Sequence, residues 1–353
     1  MRLEKRTEVS PAALLLAPVA AIAFTMLVSS LLVLWGGAPV GPTWAALLRG
    51  GFGSVFAWSE TLTRATPLIL TGLAVTVAFK ARLFNIGAEG QLYAGALAAV
   101  AVGGVQQAGA LSLPPALLFV LMLLAAALAG ALLLLGPALL KARLGVDEVV
   151  TTLLLNFIVL LGVSALLDGP MKDPAAMGWP QSVSLLPELE LSKLVAGTRV
   201  HTGLLGAGTL AVALWGFFKY TLAGFEIRAT GANAVAARFA GVPVTRTVIL
   251  VALLSGALAG LAGAVEVAGR TGYVTLDMSP GYGYTGIVIA MLAALHPLAV
   301  VAAGVFVAGV LVGADSMSRA INVPTYIADV IVAASLISVL VATMLTQYRV
   351  KMK

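Results

Sequence analysis

The stretch Asn85-Ile86-Gly87-Ala88-Glu89-Gly90-Gln91 puts an acid, two amides and two glycines at the start of a long apolar segment. An acidic side chain at membrane depth is expensive, so it marks a functional hypothesis rather than decoration. The rest of the chain decides that a membrane is present. Of 353 residues, 60% are hydrophobic and 10% charged, and the mean hydropathy is +1.04. Ser10 to Gly36 carries no charge and is long enough to cross about 30 Å of hydrocarbon as a helix. That run is too long for the core of a cleaved signal peptide and lacks a convincing small-residue cleavage site, so it reads as a retained anchor. Cysteine is absent, which excludes disulfides and thiolate chemistry.

Charges punctuate the remainder at membrane-thickness intervals. The expected fold is an all-α, polytopic transmembrane helical bundle in one domain, 1–353. It has about ten spans, near 12–35, 62–79, 84–104, 114–138, 148–167, 201–219, 247–268, 282–295, 298–315 and 325–347. Pro114-Pro115 and His296-Pro297 divide apolar runs otherwise too long for one helix. With the N-terminus inside and ten alternating spans, 14 of the 21 Lys and Arg residues fall on the inner side. The other seven, Arg49, Arg64, Lys172, Lys193, Arg199, Arg270 and Arg319, fall outside. This asymmetry places both termini in the cytoplasm. The net charge of +6 therefore reports topology and contact with the lipid bilayer, not nucleic-acid binding. The longest polar insertion, 168–200, faces outward. It carries Pro170, Pro174, Pro180, Pro187 and Trp179, with a short interfacial helix expected near Glu188–Leu194.

The polar, Gly-rich entry at Asn85 recurs at Tyr282-Gly283-Tyr284-Thr285-Gly286. Two spans five apart in an alternating bundle point in opposite directions, so spans 2–5 and 7–10 read as an inverted repeat. The candidate translocation-path residues are Asn85, Glu89, Gln91, Asn156, Tyr282 and Tyr284. Glu89 has two readings, a path contact for a hydroxyl-bearing solute or an anchor for backbone groups freed at the Gly87 and Gly90 break. The anchor is the favoured reading, since discontinuous helices need such side chains where backbone groups are freed. Asn156 either bonds across helices or faces the path. Tyr282 and Tyr284 offer planar rings that stack on a base or sugar face, although interfacial tyrosines are common. Glu266 and Arg270 read as an interfacial ion pair, and Asp315, Arg319 and Asp329 as a surface network. His201 and His296 are isolated at span ends and read as satisfied or interfacial histidines. Gly256, Gly260 and Gly263 form one small-residue stripe, for packing within the subunit or at a dimer face.

The inner loop 220–246 carries Arg228, Arg238 and Arg246 against Glu226 alone. Its alanines, Ala229 to Ala240, predict a short helix stopped by Gly241 and Pro243. A short Ala-faced helix with Arg on its rim suits docking into a groove on a partner protein; an ordinary basic inner loop is the alternative. No G-x-x-x-x-G-K-[ST] occurs, so no phosphate cradle is encoded, and no Gly-x-Ser-x-Gly or His-Glu-x-x-His is present. No catalysis is therefore expected of this polypeptide.

The string Leu83 to Gln91 followed by Gly95-Ala96 resembles ABC importer permeases of the branched-chain-type superfamily, and more narrowly the subgroup serving nucleosides and simple sugars. Gly145 to Leu153 with Asn156 is similar to that subgroup's fifth span. Phe225-Glu226-Ile227-Arg228-Ala229-Thr230-Gly231-Ala232-Asn233, then Ala236-Ala237 and Ala240-Gly241-Val242, resembles its cytoplasmic coupling loop. The resemblance implies ATPase-coupling roles for Phe225, Glu226, Arg228, Gly231, Asn233, Ala236, Ala237 and Gly241. It further implies a separate ABC ATPase that binds ATP, a second and non-identical permease, and a solute-binding lipoprotein or periplasmic protein. No cofactor or metal is expected on this chain. The implied location is the plasma membrane (bacterial inner membrane), multi-pass, and the implied solute is a nucleoside, with simple sugars second. The contrasting class is an ion-coupled secondary transporter of a small polar solute, which broken helices and inverted repeats also fit.

Overall fold

The computed structural model describes residues 2–5, 23–24, 26–104, 113–321, 330, 333–334, 337–338, 341–342 and 348–351. Asp329, most of the expected tenth span and half of the expected first span lie outside the described residues. Among the described residues the regular structure is helical apart from a short antiparallel ladder pairing β1 (Arg2–Lys5) with β2 (Tyr348–Lys351) and two isolated bridges, Lys172 with Ser182 and Lys193 with His201. It divides into two units, residues 1–61 with 306–353, and residues 62–305.

In the first unit, α1 (Met26–Trp35) and α2 (Val40–Phe52) form a pair bent by 117°. The bend falls at Gly36-Gly37-Ala38-Pro39, where Gly37 takes φ +77°. The sequence reading left 36–61 as an outer loop; the structure corrects this, because the Gly-Gly-Ala-Pro corner turns the chain without ending its apolar run. Arg49 therefore closes the last turn of α2 instead of sitting in a loop. Val33, Leu47, Val310, Ala314 and Met317 form a small buried cluster here.

The second unit holds α3 (Val55–Lys80, counted with its start), α4 (Ala88–Gly103), α5 (Pro115–Leu144), α6 (Glu148–Asp168), α7 (Gly203–Tyr220), α8 (Leu222–Ala232), α9 (Ala234–Phe239), α10 (Val244–Glu266), α11 (Tyr282–Leu292) and the start of α12 (Pro297–Ile321). A π turn, Val267–Thr271, extends α10. Six of these helices, α3, α5, α6, α7, α10 and α12, are long and apolar enough to cross a membrane, and the α1–α2 pair makes up to seven. The chain is a multi-pass membrane protein.

The described residues do not reach the expected count of ten spans, and two of the expected spans are shorter than membrane length. α4 has 16 residues and α11 has 11, because both start inside their apolar runs rather than at the ends. α3 begins at Val55, not at residue 62; Glu60 and Arg64 are accommodated within it, each with a partner. α5 runs unbroken through Pro137 to Leu144, where Gly145 at φ +68° stops it.

Packing follows side-chain size. α3 carries Thr61, Thr63, Thr66, Thr71 and Thr76 among its apolar residues and is 83% buried over its most apolar stretch, whereas the more apolar α6 is only 17% buried. α4, α5 and α10 pack backbone to backbone. A Cβ on Gly95 would meet the Gly260 oxygen at 2.2 Å, one on Gly130 the Gly256 oxygen at 2.1 Å, and one on Gly263 the Leu92 oxygen at 1.9 Å. The Gly256–Gly260–Gly263 stripe thus packs within the subunit, where close helix approach replaces the hydrophobic effect that lipid cannot supply.

The outer insertion is tied down by backbone bonds to the segment after α10. Ser182 N–H donates to Val274 O (3.0 Å), Leu185 N–H to Gly272 O (2.7 Å) and Leu191 N–H to Ala268 O (2.8 Å). These extended pairings leave only a 3₁₀ turn at Pro187–Leu189, in place of the expected helix at Glu188–Leu194.

Candidate functional site: the meeting of two helix starts

The opening sequence stretch forms a non-helical entry, residues 81–87, before α4. Such an entry leaves N–H groups without intrahelical partners, and at membrane depth they need substitutes. α6 supplies them from one stripe at i, i+4 and i+8. Glu148 accepts from Phe84 N–H (3.0 Å), Thr152 Oγ1 from Ile86 N–H (3.2 Å) and Asn156 Oδ1 from Gly90 N–H (2.8 Å). Asn85 Oδ1 accepts from Gly87 N–H (2.9 Å). Glu148 also pairs with Lys141, which donates to Arg82 O (2.7 Å). The i, i+4, i+8 pattern was visible in the sequence, but only Asn156 was singled out as a site residue.

Asn85 and Gln91 form a closed amide pair. Asn85 Nδ2 donates to Gln91 Oε1 (2.9 Å) and Ser255 Oγ (3.1 Å), and Gln91 Nε2 returns a bond to Asn85 Oδ1 (2.9 Å). Ser255 in turn donates to Ala74 O of α3 (2.7 Å). Both amides are buried.

Glu89 lies in the first turn of α4 and reaches the first turn of α11. Its Oε2 accepts from Gly283 N–H at 2.6 Å, with Ser279 and the Gly281 backbone also hydrogen-bonded to it. The helix ends are in contact: a Cβ on Gly283 would lie 2.2 Å from Glu89 N. The two half-helices thus begin at one point, with a carboxylate between two positive dipole ends. Tyr282 closes the other side of α11. Its N–H donates to Ser279 Oγ (3.0 Å) and its oxygen accepts from Thr71 (3.0 Å). Tyr93 of α4 donates to Leu276 O (2.6 Å) in the segment before α11. Neither Ser279 nor Ser255 stood out in the sequence, because a single serine among apolar residues carries no pattern.

Of the six candidate path residues, five are buried: Asn85, Glu89, Gln91, Asn156 and Tyr282. Tyr284 is 37% exposed, and its hydroxyl accepts from Asn156 Nδ2 at 3.1 Å.

Away from this junction, Glu266 pairs with Arg270, and Arg270 Nη2 donates to Met278 O (2.8 Å). The ion pair expected from the sequence is thus present, with Glu266 fully buried and the Arg270 side chain 27% exposed. His201 is buried between Gly203 and Gly269, and neither ring nitrogen has a hydrogen-bond partner among the described residues, so it is not the satisfied histidine that was one of the two expectations. It lies before α7, and burial alone lowers its pKa to about 4.

The inner loop forms an elbow of two helices, α8 and α9. Asn233 separates them and caps α9, accepting from Val235 and Ala236 N–H at 3.0 Å each. Gly231 sits so close to Lys80 O that a Cβ would lie 1.8 Å away, which fixes the elbow to the end of α3. Gly241 ends it at φ +86°. Phe225, Arg228, Asn233 and Ala236 are exposed, Glu226 is half-buried and Ala237 is buried. Ala237 therefore packs inward, away from any outward face. Val235 (66%) and Phe239 (90%) are the exposed apolar residues the sequence reading missed.

Residues 57–340 match the family described as "Branched-chain amino acid transport system / permease component". The glucose ABC transporter permease TsgB13 of Haloferax volcanii is 41% identical over 309 residues, 84% of this chain and 79% of its own length. The guanosine permease NupP of Bacillus subtilis is 36% identical over 322 residues, covering 90% and 91%. A second guanosine permease of B. subtilis, NupQ, is 28% identical over 255 residues, covering 70% and 77%. A match over most of the chain, with two curated ABC permeases above 30% identity, shows that this chain belongs to the branched-chain-type ABC transporter permease family.

Proposed function

We propose that this chain forms half of the translocation pathway of an ATP-driven importer of a nucleoside, with a simple sugar as the second candidate. A solute-binding lipoprotein or periplasmic protein delivers the solute, and a separate ABC ATPase binds the ATP. The observation that carries the ATP-driven reading is the α8–α9 elbow. It exposes Phe225, Val235 and Phe239 beside Arg228 and Arg238 in the basic segment 220–246. An apolar face with a basic rim is costly in water and serves a protein groove. Closure of the ATPase pushes the elbow, the Gly231–Lys80 contact passes the push to α3, and the two permease halves rock about a weakly binding centre.

The path is read at the α4–α11 junction, with Tyr284 nearest to open space, Asn156 buried against it, and Asn85, Gln91, Glu89 and Tyr282 holding the helix starts behind them. The guanosine relative supports the nucleoside and the glucose relative the sugar. B. subtilis has two guanosine permeases to which this chain is unequally similar, 36% and 28%. That inequality supports a related, non-identical second permease. The membrane is the plasma membrane, the inner membrane of a bacterial cell.

Purification of the tagged chain from native membranes in mild detergent tests this reading. Recovery of a P-loop ATPase and a second permease, with nucleoside uptake into liposomes that requires ATP, is the expected result. Recovery of the chain alone, transporting on an Na⁺ or H⁺ gradient, overturns it in favour of an ion-coupled transporter.

A further inference from the structure

The fold dictates the direction of one proton beside the proposed path. Asn156 Oδ1 accepts from Gly90 N–H (2.8 Å), which fixes the orientation of its amide. Its Nδ2 donates to Ile86 O (2.9 Å) and to the Tyr284 hydroxyl (3.1 Å), so both amide protons are committed. The Tyr284 oxygen is therefore an acceptor in that bond. Its own proton has no acceptor among the described residues, although Asn156 is buried and Tyr284 is 37% exposed. Asn156 lies eight residues into α6, about 12 Å along the helix axis, so the pair sits well inside the span. An O–H left unmet in hydrocarbon costs roughly 2–7 kcal/mol, so this hydroxyl is stable only where water, solute or another polar group meets it.

We propose that Tyr284 donates to an unprotonated acceptor on the transported solute, a carbonyl oxygen or ring nitrogen such as a nucleobase edge presents, and that Asn156 is the positioning residue that sets this polarity. A sugar hydroxyl donates and accepts alike, so it has no need of a donor of fixed direction. An acceptor without a proton does. The inference rests on the nucleoside reading above.

The test uses the complete importer in proteoliposomes, driven by binding protein already saturated with each solute, so that the permease and not the binding protein sets the ratio. The probes are guanosine, 7-deazaguanosine, which lacks one ring-nitrogen acceptor, and 2-aminopurine riboside, which lacks the carbonyl. The wild type is expected to carry guanosine about tenfold faster than at least one analogue. Tyr284→Phe keeps the ring and removes the O–H, and is expected to bring that ratio close to one. Asn156→Asp offers the phenol a carboxylate to donate to, and is expected to bring the same collapse with Tyr284 intact. Wild-type discrimination retained in Tyr284→Phe overturns the inference while leaving nucleoside transport standing. Equal rates for all three solutes in the wild type do the same. Carriage of glucose with no nucleoside carried overturns the substrate reading, and this inference with it. Because Tyr284→Phe removes one partly exposed hydroxyl, it decides the matter even if Asn156→Asp fails to assemble.

Discussion

Replacing Glu89 separates an anchor from a solute contact. The carboxylate accepts from Gly283 N–H at 2.6 Å at the meeting of α4 and α11. A hydrogen bond to a charged acceptor contributes about 1.5–3 kcal/mol, and an abandoned buried N–H costs about 1–3 kcal/mol. Glu89→Ala therefore loses about 3 kcal/mol or more. Glu89→Gln keeps an amide oxygen for Gly283 and loses only the charge, so it loses about half as much. Thermal unfolding of the purified complex, with uptake measured on the same preparation, reads both effects. Glu89→Ala is expected to lower Tm by several degrees and Glu89→Gln by less. Uptake per folded complex, and the ratio between solutes, should hold. An unchanged Tm with a tenfold or greater loss of uptake per complex refutes the reasoning, because the carboxylate then acts on the solute and not on the helix starts.

Gly283→Ala puts a Cβ 2.2 Å from Glu89 N, against backbone that has no rotamer to move, and should cost at least about 1–3 kcal/mol along with uptake; normal Tm and uptake would show that the junction opens readily. Phe239→Asp alters a side chain that is 90% exposed and should leave folding intact while ATPase activity loses its coupling to uptake. Ala237→Asp buries a charge and should instead lower the yield of folded protein; a well-folded, uncoupled Ala237→Asp would move that residue to the docking face. His201 has a pKa lowered by burial to about 4 from 6.5, so the folded state binds fewer protons than the unfolded state between those values. Its contribution to stability is complete above about pH 6.5 and is lost as pH falls toward 4. Tm measured from pH 7.5 to 4 should fall less steeply in His201→Phe, and identical slopes would show that His201 titrates normally.

Much of this protein is fixed by local chemistry and is therefore readable along the chain. Apolar runs of membrane length specify helices whatever surrounds them, and a lone acid between glycines at depth marks a broken helix start. The inner loop's alanines and its Gly241 stop signalled a helical element, although Asn233 divides it in two. Boundaries were drawn at charges, and this failed where the fold supplies partners: Glu60 and Arg64 lie inside α3.

The roles of the polar residues belong to the tertiary structure, because each depends on a group far away in sequence. Glu89 is joined to Gly283 across 194 positions and Asn85 to Ser255 across 170. A sequence holds no record of that distance, so Asn85, Gln91 and Tyr284 look alike as polar residues in apolar surroundings. Folding saturates the first two with each other and with Ser255, and leaves the third with a proton to give. The same holds for Ala236 and Ala237, neighbours that a helix turns to opposite sides, one outward and one into the packing.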